Sequence, residues 1–272
     1  LVGARLDDDN GGASGSAFVF LRTGSSWAQQ AKLTASDAAQ DDYFGYNVAI
    51  SGDGNYALVG AIGESSSAGA AYVFLRTGTT WAQQAKLTAS DAAASDSFGW
   101  DVSISDDGTY ALIGAYQNDD DGNASGSAYV FLRTGTSWAQ QTKITADDAA
   151  ATDYFGAAVD LNSDATYAVV GAYSDSLVVG AATYGLAGSA YIFTRSGTTW
   201  TQQAKVRPDD LAAGDRFGID VSINNAGSLI VAGSERADSG GAGDTGAAYI
   251  FERDGTSWTQ AAKLLASDAQ AS

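Results

Sequence analysis

The sequence predicts an all-β fold: a β-propeller of four-stranded antiparallel blades, with about five blades present and one inner strand missing. Three observations predict it. Trp27, Trp81, Trp138, Trp200 and Trp258 each lead a stretch like "AQQAKL", and a second stretch recurs as "SAFVFLRTG", "AAYVFLRTG", "SAYVFLRTG", "SAYIFTRSG" and "AAYIFERDG". Each unit holds four short strand-like runs, the pattern of a propeller blade. The 272 residues are 45% hydrophobic, with 33 Gly and one Pro, Pro208, as many short strands joined by tight turns require.

The elements of a unit follow in order. Strand 1 comes after a Phe-Gly pair (residues 44–45, 98–99, 155–156 and 217–218), as in "YNVAIS". A Gly-Asp-Gly turn ends it, where Gly and Asp tolerate positive φ. Strand 2, "YALVGA", has few polar residues and reads as buried on both faces. Strand 3 is "AAYVFLRT", closed by Thr-Gly. Strand 4, "WAQQAKLTA", alternates apolar and polar residues, as an outer half-exposed strand should. The repeats run approximately over 1–43, 44–97, 98–154, 155–216 and 217–272.

Spacing shows where length is free. The Trp-to-Trp intervals are 54, 57, 62 and 58 residues, and the strand 2–3 segment within them takes 12, 15, 20 and 16, which leaves 42 every time. Packing between blades would impose that constancy, so differences in function are expected in the 2–3 loops. Strands 2, 3 and 4 occur five times but strand 1 only four. The chain also starts at Leu1 without an initiator Met or a signal-peptide pattern. These features suggest a segment of a larger propeller or array, a strand lent by a neighbouring copy, or a closed five-blade ring with one three-stranded blade.

Composition narrows the chemistry. The formal net charge of −18 argues against nucleic acid, whose binders carry basic patches. No stretch reaches the roughly 18 apolar residues of a membrane-inserting helix. With no Cys and no His, thiol catalysis, thiolate metal sites and the usual general base are absent. A glycosidase would need a pair of carboxylates around one bond, or a Tyr nucleophile with its base. Here most acids and arginines recur at repeat positions, as scaffolding does, so no catalytic residue is assigned.

The stretches "YFGYNVAISGDGNYALVGA", "SFGWDVSISDDGTYALIGA", "YFGAAVDLNSDATYAVVGA" and "RFGIDVSINNAGSLIVAGS" resemble the FG-GAP repeat of integrin α-subunit propellers and their microbial and algal relatives. The Pro that closes the motif's name is absent from all four. The resemblance implies a propeller, often extracellular or at the cell surface, used for adhesion or partner binding. It also implies calcium in the 1–2 turn, on an Asp-x-Asp/Asn-x-Asp-Gly pattern. Only the turn with Asp160, Asn162 and Asp164 keeps those ligands in register, and there Ala165 replaces the Gly. The other three turns read as plain hairpins. A fainter resemblance joins "RDGTSW" at 253–258 to the Asp-box turn of sialidase-like propellers, and a hydrolase on a propeller scaffold is the third reading of function.

In a blade the 2–3 and 4–1 loops share one face, and they hold 23 of the 32 acids. Arg22, Arg76, Arg133, Arg195 and Arg253 end strand 3 near the opposite face. "LDDDNGG" and "NDDDGNASG" are the densest candidates for calcium, through Asp7, Asp9, Asp119 and Asp121; the competing reading is solvated loop charge. Asn123-Ala-Ser125 is a glycosylation sequon on the second of these loops. The longest 2–3 loop, 174–188, is apolar, and Leu177, Val178, Val179, Tyr184 and Leu186 are candidate contacts with a protein partner or a further copy of the chain. The leading expectation is a non-catalytic structural or adhesive module; the alternative is a cation-dependent, lectin-like domain that binds glycans.

Overall fold

The computed structural model describes residues 1–179, 182–238 and 244–267, with the side chains of 177–184 outside that description. The chain forms two compact units. The first, residues 1–118 and 129–143, carries three sheets; the second, residues 119–128 and 144–272, carries two and a short hairpin.

In the first unit, β1 (Val2–Ala4), β2 (Ser16–Thr23) and β3 (Ser26–Leu33) form a three-stranded sheet. β4 (Phe44–Ile50), β5 (Tyr56–Ala61), β6 (Ala70–Thr77) and β7 (Thr80–Leu87) form a four-stranded one. So do β8 (Val102–Ile104), β9 (Tyr110–Ala115), β10 (Ser127–Thr134) and β11 (Ser137–Ile144). In the second unit β12 (Ala158–Leu161) and β13 (Tyr167–Ala172) precede a hairpin of β14 (Leu177–Val179) and β15 (Ala182–Tyr184). β16 (Ser189–Ser196) and β17 (Thr199–Val206) complete that sheet, and β18 (Phe217–Ile223), β19 (Leu229–Ser234), β20 (Ala247–Asp254) and β21 (Ser257–Leu264) form the last. The register joins successive strands antiparallel. These are the expected blades, and the first lacks its inner strand. Strand 1 begins at the Phe of Phe-Gly in β4 and β18 but is only three or four residues long in β8 and β12.

Strand 2 is buried on both faces in the second, third and fourth repeats, as its composition demands. Its two faces go to different neighbours. Val59 packs back on Val19 and Leu33 of the first repeat, while Leu58 packs forward on Phe98, Ile113 and Phe131 of the third. The Phe-Gly pair closes each joint. Phe44 bridges to Gly15 of the preceding repeat, and its ring meets Tyr72 and Phe74 edge-on at 5.5 and 5.9 Å. The same bridge joins Gly69 to Phe98, Gly126 to Phe155 and Gly188 to Phe217.

The glycines of the two motifs meet each other. Gly218 has φ +82, a conformation open to glycine, and its carbonyl lies where a Cβ on Gly171 would stand. Gly60 faces Gly99, and Gly3 faces Gly45, in the same way. The spacing of Phe-Gly and Gly-Ala is therefore a backbone-contact requirement between adjacent repeats.

The paired glutamines of strand 4 also belong to the joint. A β-bulge between strands 3 and 4 leaves Gln84 without a cross-strand partner, because Phe74 pairs with Gln83 and Val73 with Ala85. Gln84 then accepts the indole N–H of Trp138 in the next repeat at 2.8 Å, as Gln30 accepts Trp81 and Gln203 accepts Trp258. Gln83 reaches the other way, accepting the Ser36 N–H of the preceding 4–1 loop at 2.9 Å.

Candidate functional site

The acidic loops are tied down by the lysine of each "AQQAKL" stretch. Strand pairing sets Lys86 opposite Tyr72, Lys205 opposite Tyr191 and Lys263 opposite Tyr249. Each ammonium stands over its ring, 5.0 Å from the Tyr191 centroid and 5.6 Å from that of Tyr72. From there it reaches the 4–1 loop behind and its own 2–3 loop. Lys86 bonds Asp37 and Glu64, both at 2.7 Å; Lys143 bonds Asp91 at 2.8 Å and Asn118 at 2.9 Å. Lys205 bonds Asp148 at 2.7 Å and Asp175 at 2.6 Å, and Lys263 bonds Asp210 at 2.7 Å and the Asp238 carbonyl at 2.9 Å. Lys32 holds Asp7 at 2.9 Å and also Asp9. Burial alone would lower the Lys86 ammonium, but its two carboxylate bonds outweigh that and hold it above its ordinary value.

The opposite ends of the sheets follow the same logic. The Arg133 guanidinium donates to the carbonyls of Gly108, Asp107 and Gly135 and stacks over Tyr56, 4.4 Å from its centroid. Arg195 donates to the Ala165 and Asp164 carbonyls at 2.6 and 3.0 Å. In the third, fourth and fifth repeats strand 3 thus caps the 1–2 turn with a permanent cation, whereas Arg22 and Arg76 donate to the Gly24 and Gly78 carbonyls of the 3–4 turn.

This bears directly on the calcium expectation. Asp160 accepts from the Ser222 hydroxyl and the Ile223 N–H of the next repeat, at 3.0 and 2.9 Å. Asn162 and Asp164 turn inward on their own hairpin, Asn162 accepting from Tyr167 N–H and Asp164 from Thr166. The Asn162 amide also donates to Asp164 at 2.9 Å, so these two side chains are joined to each other while Asp160 is engaged by the next repeat. Asp7 and Asp9 converge, but on Lys32, and the Asp7 carboxyl is held down at about 2 by its bonds to Lys32 and Ser16. Asp119 accepts from Ala124 N–H at 2.7 Å, closing a loop that repeats the one in which Asp8 accepts from Ala13 N–H. Asp121 is exposed on that loop. Among the described residues no group of three or more acidic side chains is placed to hold a metal ion. Asn123 is exposed at the loop tip with Ser125 buried beneath it. Leu186 is exposed, whereas the side chains of Leu177, Val178, Val179 and Tyr184 lie outside the described residues.

The node of the fourth repeat departs from the pattern. Where the first three repeats have Thr34, Thr88 and Thr145 after strand 4 and the fifth has Leu265, this one has Arg207. Arg207 donates to the Ser189 hydroxyl at 2.6 Å, to Asp175 at 2.9 Å and to the Ser176 carbonyl at 3.0 Å. Asp175 is buried and receives Tyr191 and Lys205 as well. Burial would raise its carboxyl, but these donors and charges keep it below the ordinary value. Asp153 is buried too and accepts from Ala150 N–H at 2.9 Å. Desolvation, and then the charge of Asp175, push its carboxyl up to about 6. With Asp148, Ser176 and Lys205 these groups line a polar cleft of about 430 Å³. Such a cleft offers hydrogen bonds and fixed charge to a polar ligand. Sequence comparison of the repeats contains the signal that finds it, the Thr-to-Arg change at 207, but the acid it serves, Asp175, is read there as loop charge.

The FG-GAP repeat pattern matches residues 27–74, 81–131, 138–193 and 200–251. The chain belongs to the FG-GAP repeat family. No curated protein matches it. Two solved structures resemble this FG-GAP chain in fold. Hydrazine synthase of Kuenenia stuttgartiensis is 11% identical with a TM-score of 0.49, over 81% of this chain and 49% of that one. TolB of Acinetobacter baumannii is 12% identical with a TM-score of 0.45, over 87% of this chain and 46% of that one. The chain spans about half the length of each.

Proposed function

We propose that this FG-GAP chain is a non-catalytic structural or adhesion module, displayed outside the cell or at its surface, that binds a protein partner through its 2–3 loops. One observation carries the reading: the charged groups that recur from repeat to repeat are spent on internal ties, lysine to loop acids and arginine to turn carbonyls. What stays exposed and differs between repeats is the loops, with Asp119, Asp120 and Asp121 on one and Leu186 on another. An acidic loop face on a chain of net charge −18 favours a basic partner surface.

A second reading has its own observation. The cleft around Arg207 and Asp175 is polar and interrupts the repeat, as a lectin-like glycan site would. Both readings are tested by offering the immobilised chain to an array of surface proteins and an array of glycans, with aryl glycosides as turnover substrates. The expected result is protein binding that weakens in a D119N/D120N/D121N variant. Glycan hits alone, abolished by R207A, would replace it with the lectin reading, and turnover of an aryl glycoside would replace both.

A further inference from the structure

The lysine node of the third repeat differs from the others in one chemical respect. The residue three places after the end of strand 2 is Asp7, Glu64, Asp175 and Ala237 in the first, second, fourth and fifth repeats, and Asn118 in the third. Lys143 therefore donates to the Oδ1 of a carboxamide, at 2.9 Å, where Lys86 and Lys205 meet a carboxylate. On its other side Lys143 meets Asp91 at 2.8 Å. Asn118 in turn donates from Nδ2 to Asp96 at 3.3 Å. Asn118 and Asp96 are each 3% exposed, and the Tyr129 ring centroid lies 5.3 Å from the Lys143 nitrogen. Asp96 stands at the repeat position of Asp42, Asp153 and Asp215, whose carboxyls burial raises. An amine, a carboxamide and a buried acid are thus joined in one hydrogen-bonded row. A lysine beside a carboxylate forms a salt, and making an amide from that pair in water is uphill. A lysine beside a carboxamide has only to exchange one amine for another on the same carbonyl, with ammonia lost to solvent.

We propose that Lys143 and Asn118 join in an isopeptide bond, formed by the folded chain itself with Asp91 and Asp96 as its proton carriers. Asp91 takes one proton from the Lys143 ammonium and leaves a free amine. Nζ bonds to Asn118 Cγ, so that both nitrogens sit on one carbon, and Asp96 carries a second proton from Nζ to Nδ2. The Cγ–Nδ2 bond breaks, and ammonia departs as ammonium with the proton held by Asp91. An ammonium and a carboxamide go in, an amide and an ammonium come out, and no oxidant or co-reactant is required. Nζ already touches Oδ1, one bond from the carbon it attacks, so the step is intramolecular at short range. Only the fold supplies that proximity, since the two residues are 25 positions apart. The bond ties the 2–3 loop to strand 4 in a chain that has no Cys for a disulfide.

This goes beyond the loop-binding reading and can fail without it, since it is read with no partner present. The test is the intact mass of the purified full chain, followed by tryptic peptide mapping. The expected mass is lower than the sequence dictates by one ammonia. Arg133 lies between the two residues, so trypsin separates residues 87–133 from Lys143 unless the bond holds them. The expected map contains a branched peptide in which residues 87–133 are joined to Lys143, with no cleavage after Lys143. N118D and K143R are expected to have the full mass and an unbranched map. D96N, its fold checked by circular dichroism, is expected to stay largely unbridged where the wild type is complete. A wild type of full mass overturns the proposal. Loss of ammonia without the branched peptide overturns it too, because an asparagine cyclised on its own backbone gives that result. So does a D96N chain bridged as fully as the wild type. The wild-type mass and map decide the bond by themselves, so the proposal stays falsifiable if a variant fails to fold.

Discussion

The two faces of the fifth repeat come from one sheet and meet opposite fates. Its backward face buries Phe217, Ala232, Tyr249 and Phe251 against Val169, Ile192 and Val206. Its forward face leaves Val231 and Leu264 uncovered. The strand sequences barely differ from those of the inner repeats, so period and propensity do not decide the outcome. The neighbour does. A strand 2 that reads as buried on both faces is so only where repeats stand on both sides, which makes each residue's burial a property of the joint.

The largest expected effect breaks this comparison at a glycine. In Gly171→Ala the new Cβ would overlap the Gly218 carbonyl, and neither backbone can move without opening the joint. A loss of about 3 kcal/mol or more is expected in denaturant unfolding. Gly233→Ala, at the same motif position one repeat later, is expected to stay within about 0.5 kcal/mol of the wild type, because among the described residues its Cβ would make only ordinary contacts, with Ile219 at 3.6 Å and Asp220 at 3.8 Å. Equal losses at the two positions would show that the motif glycine is needed for strand geometry and not for the joint.

A smaller effect separates two buried carboxyls. Asp153 and Asp215 sit at one repeat position and accept from Ala150 and Ala212 N–H respectively. Both are raised by burial first, but Asp153 faces Asp175, whereas the residue equivalent to Asp175 in the fifth repeat is Ala237. The folded Asp153 holds its proton to about pH 6 and the unfolded one releases it near 3.8. The native state therefore binds more protons between those values, and the group's contribution falls as pH rises through the window and is most unfavourable above it. Asp153→Asn is expected to stabilise by about 1–3 kcal/mol at pH 7.5 and by much less at pH 4. Asp215→Asn is expected to show the same sign and a smaller gain. Thermal unfolding at the two pH values reads both, and a destabilised Asp153→Asn at pH 7.5 would sink the assignment.

These contrasts also show what the sequence discloses. The strands, the Phe-Gly turn and the variable 2–3 loops are legible because each is written in local chemistry and repeated. The lysine of "AQQAKL" is equally repeated, yet its role is hidden, since its partners lie one loop behind and one loop within the repeat. The acids it binds then look like vacant ligands, and Asp7 with Asp9 looks like a calcium pair. The bulge at Gln84 is hidden for a related reason. An unbroken two-residue period would send Gln83 and Gln84 to opposite faces, and only the pairing register shows that one of them is the extra residue.

The smallest effect tests that bulge. Trp81→Phe removes the indole N–H from Gln30 and leaves a half-buried amide oxygen without its donor, so a loss of about 1 kcal/mol is expected. Trp27→Phe, on the exposed face of the first repeat, removes no such bond among the described residues and is expected to be neutral in dilute solution. Gln30→Ala should cost as much as Trp81→Phe, and the double variant no more than either, because the two side chains act through one bond. Additive losses in that cycle would mean that the glutamine and the tryptophan stabilise the joint separately, and that the bulge serves the strand and not the neighbour.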